Sequence, residues 1–262
     1  MTSPPEVDRP GPGPDGGAPE GGGEPTAEER GGLRDLHLWK LPRGRHGLPR
    51  EVVARSQRER LLAAVVHVSA TKGYQATSVA DILKQAGVGR ESFYRQFKDK
   101  EDCFVVANDA LVGHLEERVG EAYKQPGAWP ERVRRGLAAT LEWFAADPEI
   151  ARVMMIEMGT VGPIASERFR DTFRRFTTLL DDGREFVESA PDLPDLPNLA
   201  SIAGGAVFAR VYEEVALGST ASLPRLLPQL TFELLLPYVG EEAASKEREV
   251  AEEELAGEVG GQ

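Results

Sequence analysis

Over most of the chain, apolar residues recur at steps of three and four, and short polar or Gly/Pro-bearing stretches interrupt them. That period places them on one face of successive α-helices. A helix is predicted over about 50–72, with Leu61, Leu62, Val65, Val66 and Val68 along one side and Gly73 as its stop. A short helix follows with Val79, Ile82, Leu83 and Ala86 inward. Ser78 and Asp81 form a capping box at its start, and Thr77 offers a second N-cap oxygen. Gly87 and Gly89 flank Val88, allowing a sharp turn while Val88 fills the angle between helices. The next helix runs from about 90 to 97 with Phe93 and Phe97 inward, and a longer one continues from Lys98 and Lys100 through Phe104, Ala107, Leu111, Leu115 and Val119. Further helices are predicted over 129–146, 148–159, 163–189, 196–217 and 223–238, separated by PGAWP, ADPE, the Pro-punctuated APDLPDLPN and GSTAS. No stretch alternates with period two, so the fold class is an all-α bundle.

Residues 77–100 form two short helices around a glycine-bearing turn, the spacing of a helix-turn-helix. The second helix leaves Arg90, Glu91, Ser92, Tyr94, Arg95 and Gln96 on or beside its outward face. Arg and Gln can make bidentate contacts to base edges, whereas hydroxyls and lysines suit phosphates. The helix from Gln57 to Lys72, the GYQATSVADIL lead-in, the AGVGRESFYRQF turn and the closing KDKED together resemble the DNA-binding domain of the TetR (tetracycline repressor) family. The motif match covers roughly 55–104; beyond it the likeness is one of architecture. The resemblance implies an N-terminal three-helix DNA-binding domain followed by a larger helical domain for ligand binding and dimerisation. It makes Arg90 the leading base reader, with Arg95 and Gln96 as further candidates. Thr77, Ser78, Ser92, Tyr94, Lys98 and Lys100 are then phosphate-positioning candidates. Glu91 departs from what a plain DNA contact wants: it either accepts from a cytosine amino group or excludes other sequences.

With 262 residues, 40% of them hydrophobic, the chain can bury a core for one small and one larger domain. Its net charge of −12 argues against nucleic acid only if charge is spread evenly, and it is not. Lys40, Arg43, Arg45, Arg50, Arg55, Arg58 and Arg60 crowd one segment, while 241–258 carries eight glutamates against Lys246 and Arg248. The expected organisation is a disordered Gly/Pro-rich tail (1–32), a basic arm (33–50), the helix-turn-helix domain (51–100), a regulatory and dimerisation domain (101–240) and an acidic disordered tail (241–262). Leu36, Leu38, Trp39 and Leu41 could anchor part of the arm on the folded body. Arg43 and Arg45 flank a glycine, a cationic strip that either enters a minor groove or serves as a solvated linker.

The last two predicted helices carry small residues in a helix interior, Ala203, Gly204, Gly205, Ala206 and Ala209, followed by leucines around most of a circumference. Close helix approach and cover from a second subunit account for both, against the alternative of a buried central helix. Gly204, Gly205, Phe208, Tyr212, Leu227, Leu230 and Leu234 are the interface candidates; in the regulators resembled, the final two helices of each subunit build a four-helix dimer interface. Trp143, Phe144, Met154, Met158, Phe169, Phe173 and Phe176 suit either a pocket for a small apolar or amphipathic effector or ordinary core filling. Catalytic chemistry is thin. Cys103 and His114 stand three helical turns apart, roughly 16 Å, too far to share a metal. No phosphate loop or nucleophile elbow appears, so no enzyme, cofactor or metal is expected. Nor is there an apolar run of membrane-spanning length, and a cytoplasmic protein is expected. The resulting expectation is a ligand-released homodimeric repressor of a near-palindromic double-stranded operator. The alternative is a dimeric helical sensor of small molecules or proteins with weak DNA binding.

Overall fold

The computed structural model describes residues 50–188 and 198–260, all within one compact unit. The tail at 1–32 and the arm with Arg43 and Arg45 lie outside the described residues. Among the described residues every regular element is a helix. No helix is long and apolar enough to cross a membrane.

Helix α1 (Arg50–Lys72) buries Leu61, Ala64, Val65 and Val66 and ends at Gly73, whose φ of +85° is the left-handed conformation that favours glycine. Helix α2 (Val79–Ala86) starts on the Ser78–Asp81 capping box, and it stops at Gly87, whose φ is +62° and whose N–H donates to Leu83 O. Val88 is buried in the angle that follows. Gly89, by contrast, has φ −73° and open space where a side chain would sit, so only Gly87 needs glycine's freedom. Helix α3 (Arg90–Tyr94) is shorter than its periodicity indicated, because the backbone tightens into a turn that drops Phe97 beside Phe93. Helix α4 (Lys100–Lys124) is capped by Asp99, which accepts from Asp102 N–H at 2.9 Å. Cys103 sits fully buried on it, and desolvation pushes its thiol up to about 12, the behaviour of a small core residue.

Helix α5 (Trp129–Ala146) packs along α4, and Asp147 then caps α6 by accepting from the N–H groups of Glu149 and Ile150. α6 begins as Pro148–Arg152, passes through a π-helical stretch at Val153–Glu157 and closes as Met158–Val161. The helix expected over 163–189 is instead α7 (Pro163–Thr178), a 3₁₀ turn (Asp181–Gly183) and α8 (Arg184–Glu188). The 3₁₀ turn packs closely: a Cβ on Gly183 would lie 2.4 Å from the Trp129 ring and 2.7 Å from that of Tyr238. Helix α9 (Leu199–Ala216) and, after a 3₁₀ turn (Thr220–Leu226), α10 (Leu227–Gly260) complete the bundle.

The expected disordered tail at 241–262 is corrected by α10, which kinks at Gly240 (φ +75°) and continues as helix to 260. Ala244 and Ala251, seven residues apart, are fully buried on one side of this arm. Arg134 of α5, 4% exposed, donates to Glu247 at 3.0 Å and to Glu254. Two glutamates of an apparently solvated run thus neutralise a buried guanidinium.

Candidate nucleic-acid interface and internal cavity

The outward face of α3 rests on a rigid base. Phe93 is fully buried, and Phe97 is covered by the Arg58 guanidinium 4.7 Å from its centroid. Arg60 donates to Ala86 O at 3.3 Å and closes the end of α2. These two arginines of the basic stretch therefore serve the fold. Arg90, Tyr94, Arg95 and Lys98 are exposed, with Ser92 and Gln96 half-buried beside them. Arg90 lies 5.9 Å from the Tyr94 ring. Arg95 donates to Glu91 at 2.7 Å, so Glu91 presets Arg95 and offsets its charge on this face.

Two phosphate candidates are corrected. Thr77 is buried, and its hydroxyl donates to Gly73 O at 2.8 Å, so it closes the α1–α2 loop. The Lys100 ammonium donates to Tyr74 O and Thr77 O at 2.9 Å each and stands 4.0 Å from the Tyr74 ring centroid. Desolvation, then the like charge of Lys72, lowers its pKa from the usual lysine value. It staples the loop from inside. Ser78 stays exposed at the start of α2, with its hydroxyl turned to Asp81. Lys72, then Ser78, hold the Asp81 carboxyl well below the usual carboxylate range by hydrogen bonding to it.

A cavity of about 220 Å³ opens between α4, α5, α6, α7, α9 and α10. Phe144, Met154, Met158, Phe169, Phe173 and Phe176 line it; Trp143 does not, being buried elsewhere with its ring stacked 5.7 Å from that of Phe144. Met155 of the same methionine cluster also faces the cavity, as do Asn108, Thr140 and Gly204, which the aromatic and methionine pattern could not reveal.

One residue joins this cavity to the α1–α2 loop. Glu157, 4% exposed, lies on the same π stretch as the cavity-lining Met154 and Met155. Its carboxylate accepts the Tyr74 N–H at 2.8 Å and pairs with Arg152 at 3.1 Å. Beside it Gln75 donates to Thr160 O, and His67 meets Glu149 at 2.9 Å. A π turn shifts the helical register by a fraction of a turn, which brings Glu157 to the loop while its neighbours face the cavity.

Most interface candidates are corrected as well. Leu227, Leu230 and Leu234 are buried in the chain's own core. Phe208 packs edge-on to Phe169 at 5.2 Å, and a Cβ on Gly204 would lie 2.8 Å from Thr177, so both face α7 rather than solvent. The free stripe of α9 is Ile202, Gly205, Ala206, Ala209 and Tyr212, with Ile202 61% exposed; Leu217, just past the end of α9, and Leu236 on α10 are exposed as well. Nothing lies within 4 Å of a Cβ placed on Gly205.

The sequence profile for bacterial regulatory proteins of the tetR family matches residues 61–107, the span from mid-α1 to early α4. A fatty acid metabolism regulator protein of Bacillus subtilis is 26% identical over 121 residues, 46% of this chain and 62% of that protein. The HTH-type transcriptional regulator EthR of Mycolicibacterium smegmatis is 30% identical over 138 residues, 50% of this chain and 58% of that protein. The chain thus spans about three fifths of each of these relatives. Among solved structures, the fatty acid degradation regulator FadR of Bacillus halodurans superposes with a TM-score of 0.61 at 21% identity, over 68% of this chain and 94% of that one. FadR of Bacillus subtilis, solved with stearoyl-CoA, gives 0.57 at 24%, over 69% and 97%. At such identities the likeness is one of fold.

Proposed function

We propose that this chain, which belongs to the tetR family of bacterial regulatory proteins through its domain at 61–107, is a ligand-released homodimeric repressor of a near-palindromic DNA operator. The observation that carries this reading is the exposed face of α3, where Arg90, Tyr94, Arg95 and Lys98 stand on a buried Phe93–Phe97 base. Arg90 reads bases, with Arg95 and Gln96 assisting, while Ser78, Ser92, Tyr94 and Lys98 position phosphates. The functional division falls between a DNA-binding part, 51–100, and a regulatory part from 101 on. Such a protein works in the cytoplasm, where its operator is.

Two copies meet through the free stripe of α9, each presenting one α3 to one half-site. The cavity is the effector site. Its relatives include regulators of fatty acid metabolism, one solved with stearoyl-CoA, and a long apolar chain is chemistry that its lining suits. An effector pressing on Met154, Met155 and Met158 moves the π stretch, and Glu157 passes that movement to Tyr74 and the α1–α2 loop. Repression is relieved to the extent that the effector binds the displaced conformation more tightly.

Arg90→Ala is expected to cost about 1–3 kcal/mol of discrimination between operator and scrambled duplex, the value of a bidentate base contact. Lys98→Ala is expected to weaken both about equally and to flatten the salt dependence by about one contact. Competition binding across salt concentrations separates them. Equal loss on both duplexes for Arg90→Ala would remove it from base readout.

A further inference from the structure

The cavity lining contains no charged side chain. Its polar members are nearly all satisfied within the protein: Thr140 donates to Gly136 O at 3.0 Å, Thr177 to Arg174 O at 3.0 Å, and the Tyr123 hydroxyl meets Leu179 O at 3.0 Å and Asp182 at 2.9 Å. Thr172 accepts from Arg175 at 3.3 Å. Asn108 is the exception. It lies on α4, 3% exposed and lining the cavity, and its Oδ1 has no hydrogen-bond partner. Buried polar side chains are seldom left without a partner, because removal from water is then uncompensated.

We propose that Asn108 selects the effector, and that the effector is an apolar molecule carrying one hydroxyl group. The inference rests on reading the cavity as the effector site and narrows its ligand class. The unpartnered Oδ1 needs a donor, which a carboxylate or an ester lacks. A hydroxyl supplies one, its O–H donating to Oδ1. A carboxylate would in addition bring a charge into a lining with nothing to pair it. The remaining surface is met by apolar contact with Phe, Met, Leu and Val side chains.

The test is calorimetric titration of the full chain at pH 8 with 1-decanol, methyl decanoate and decanoate. Each is then tested for release of the operator complex. The wild type is expected to bind decanol about 10-fold or more tighter than either of the others, the scale of one neutral hydrogen bond. Asn108→Leu should abolish that preference while keeping affinity for the methyl ester, and Asn108→Ser, which puts a hydroxyl acceptor in place of the amide, should recover part of it. The Ser variant also serves if the Leu variant does not fold. Comparable binding of alcohol and ester, unchanged in the variants, or decanoate binding as tightly as decanol, would overturn the role of Asn108 and leave the cavity as effector site. Failure of all three probes to bind or to release the operator would overturn the cavity reading, and this proposal with it.

Discussion

Ala209→Glu is expected to leave the subunit folded and to lower operator affinity by about 10²- to 10⁴-fold, the gain that linking two modest binding events ordinarily provides. Ala209 is exposed in the middle of the α9 stripe, between Gly205 and Tyr212, so a glutamate there meets water in the isolated chain. In the dimer it would be driven into an apolar contact beside its own symmetry mate, and both the lost burial and the like-charge pair oppose association. One α3 covers only a few base pairs, and affinity adequate for an operator needs two of them. Gly205→Leu provides a second wedge, since no atom lies within 4 Å of its new Cβ and the added side chain starts into open space on the stripe. Sedimentation velocity should report a monomer, with the helical circular dichroism unchanged and a thermal transition that no longer depends on protein concentration. A variant that remains dimeric and binds operator normally would move the interface off α9.

Glu157→Leu is expected to destabilise the chain by about 2–3 kcal/mol and to uncouple effector binding from DNA release. The substitution removes the acceptor of the Tyr74 N–H and the partner of Arg152. An orphaned buried N–H costs about 1–3 kcal/mol. Breaking a fully buried ion pair costs about 3–5 kcal/mol, but Arg152 is half exposed and recovers much of that from water. Glu157→Gln keeps an acceptor for Tyr74 and should retain most of the stability. Urea denaturation measures the first effect. The second is read as the ratio of operator affinities with and without a cavity ligand, which should approach one in the Leu variant; an undiminished ratio would place the coupling elsewhere.

The helix-turn-helix was legible in the sequence because each of its devices is local. The Ser78–Asp81 box, the Gly87 turn and the Phe93–Phe97 spacing lie within a few residues of the partners they need. The fates of Thr77 and Lys100 were not legible, because a hydroxyl and an ammonium beside a DNA-reading helix look alike whether they turn outward or fold under toward Gly73 and Tyr74. Glu157 was missed for a related reason: one acidic residue among methionines reads as the solvent side of a helix, and only the π stretch turns it inward. The leucines of α10 pointed to cover from a second subunit because their actual cover comes from elements distant in sequence, chiefly α5. That arm carried a usable signal in Ala244, Ala251 and Leu255, at steps of seven and four, but the density of glutamates concealed it.

DNase I footprinting of the DNA flanking the chain's own gene tests the central claim most directly. The account predicts a protected near-palindrome whose half-sites are centred about 34 Å apart or a multiple of it. Protection should be lost in Ala209→Glu and should weaken when a cavity ligand is added to the wild type. Absence of any protected segment at concentrations where the chain is dimeric, or uniform protection regardless of sequence, would contradict it.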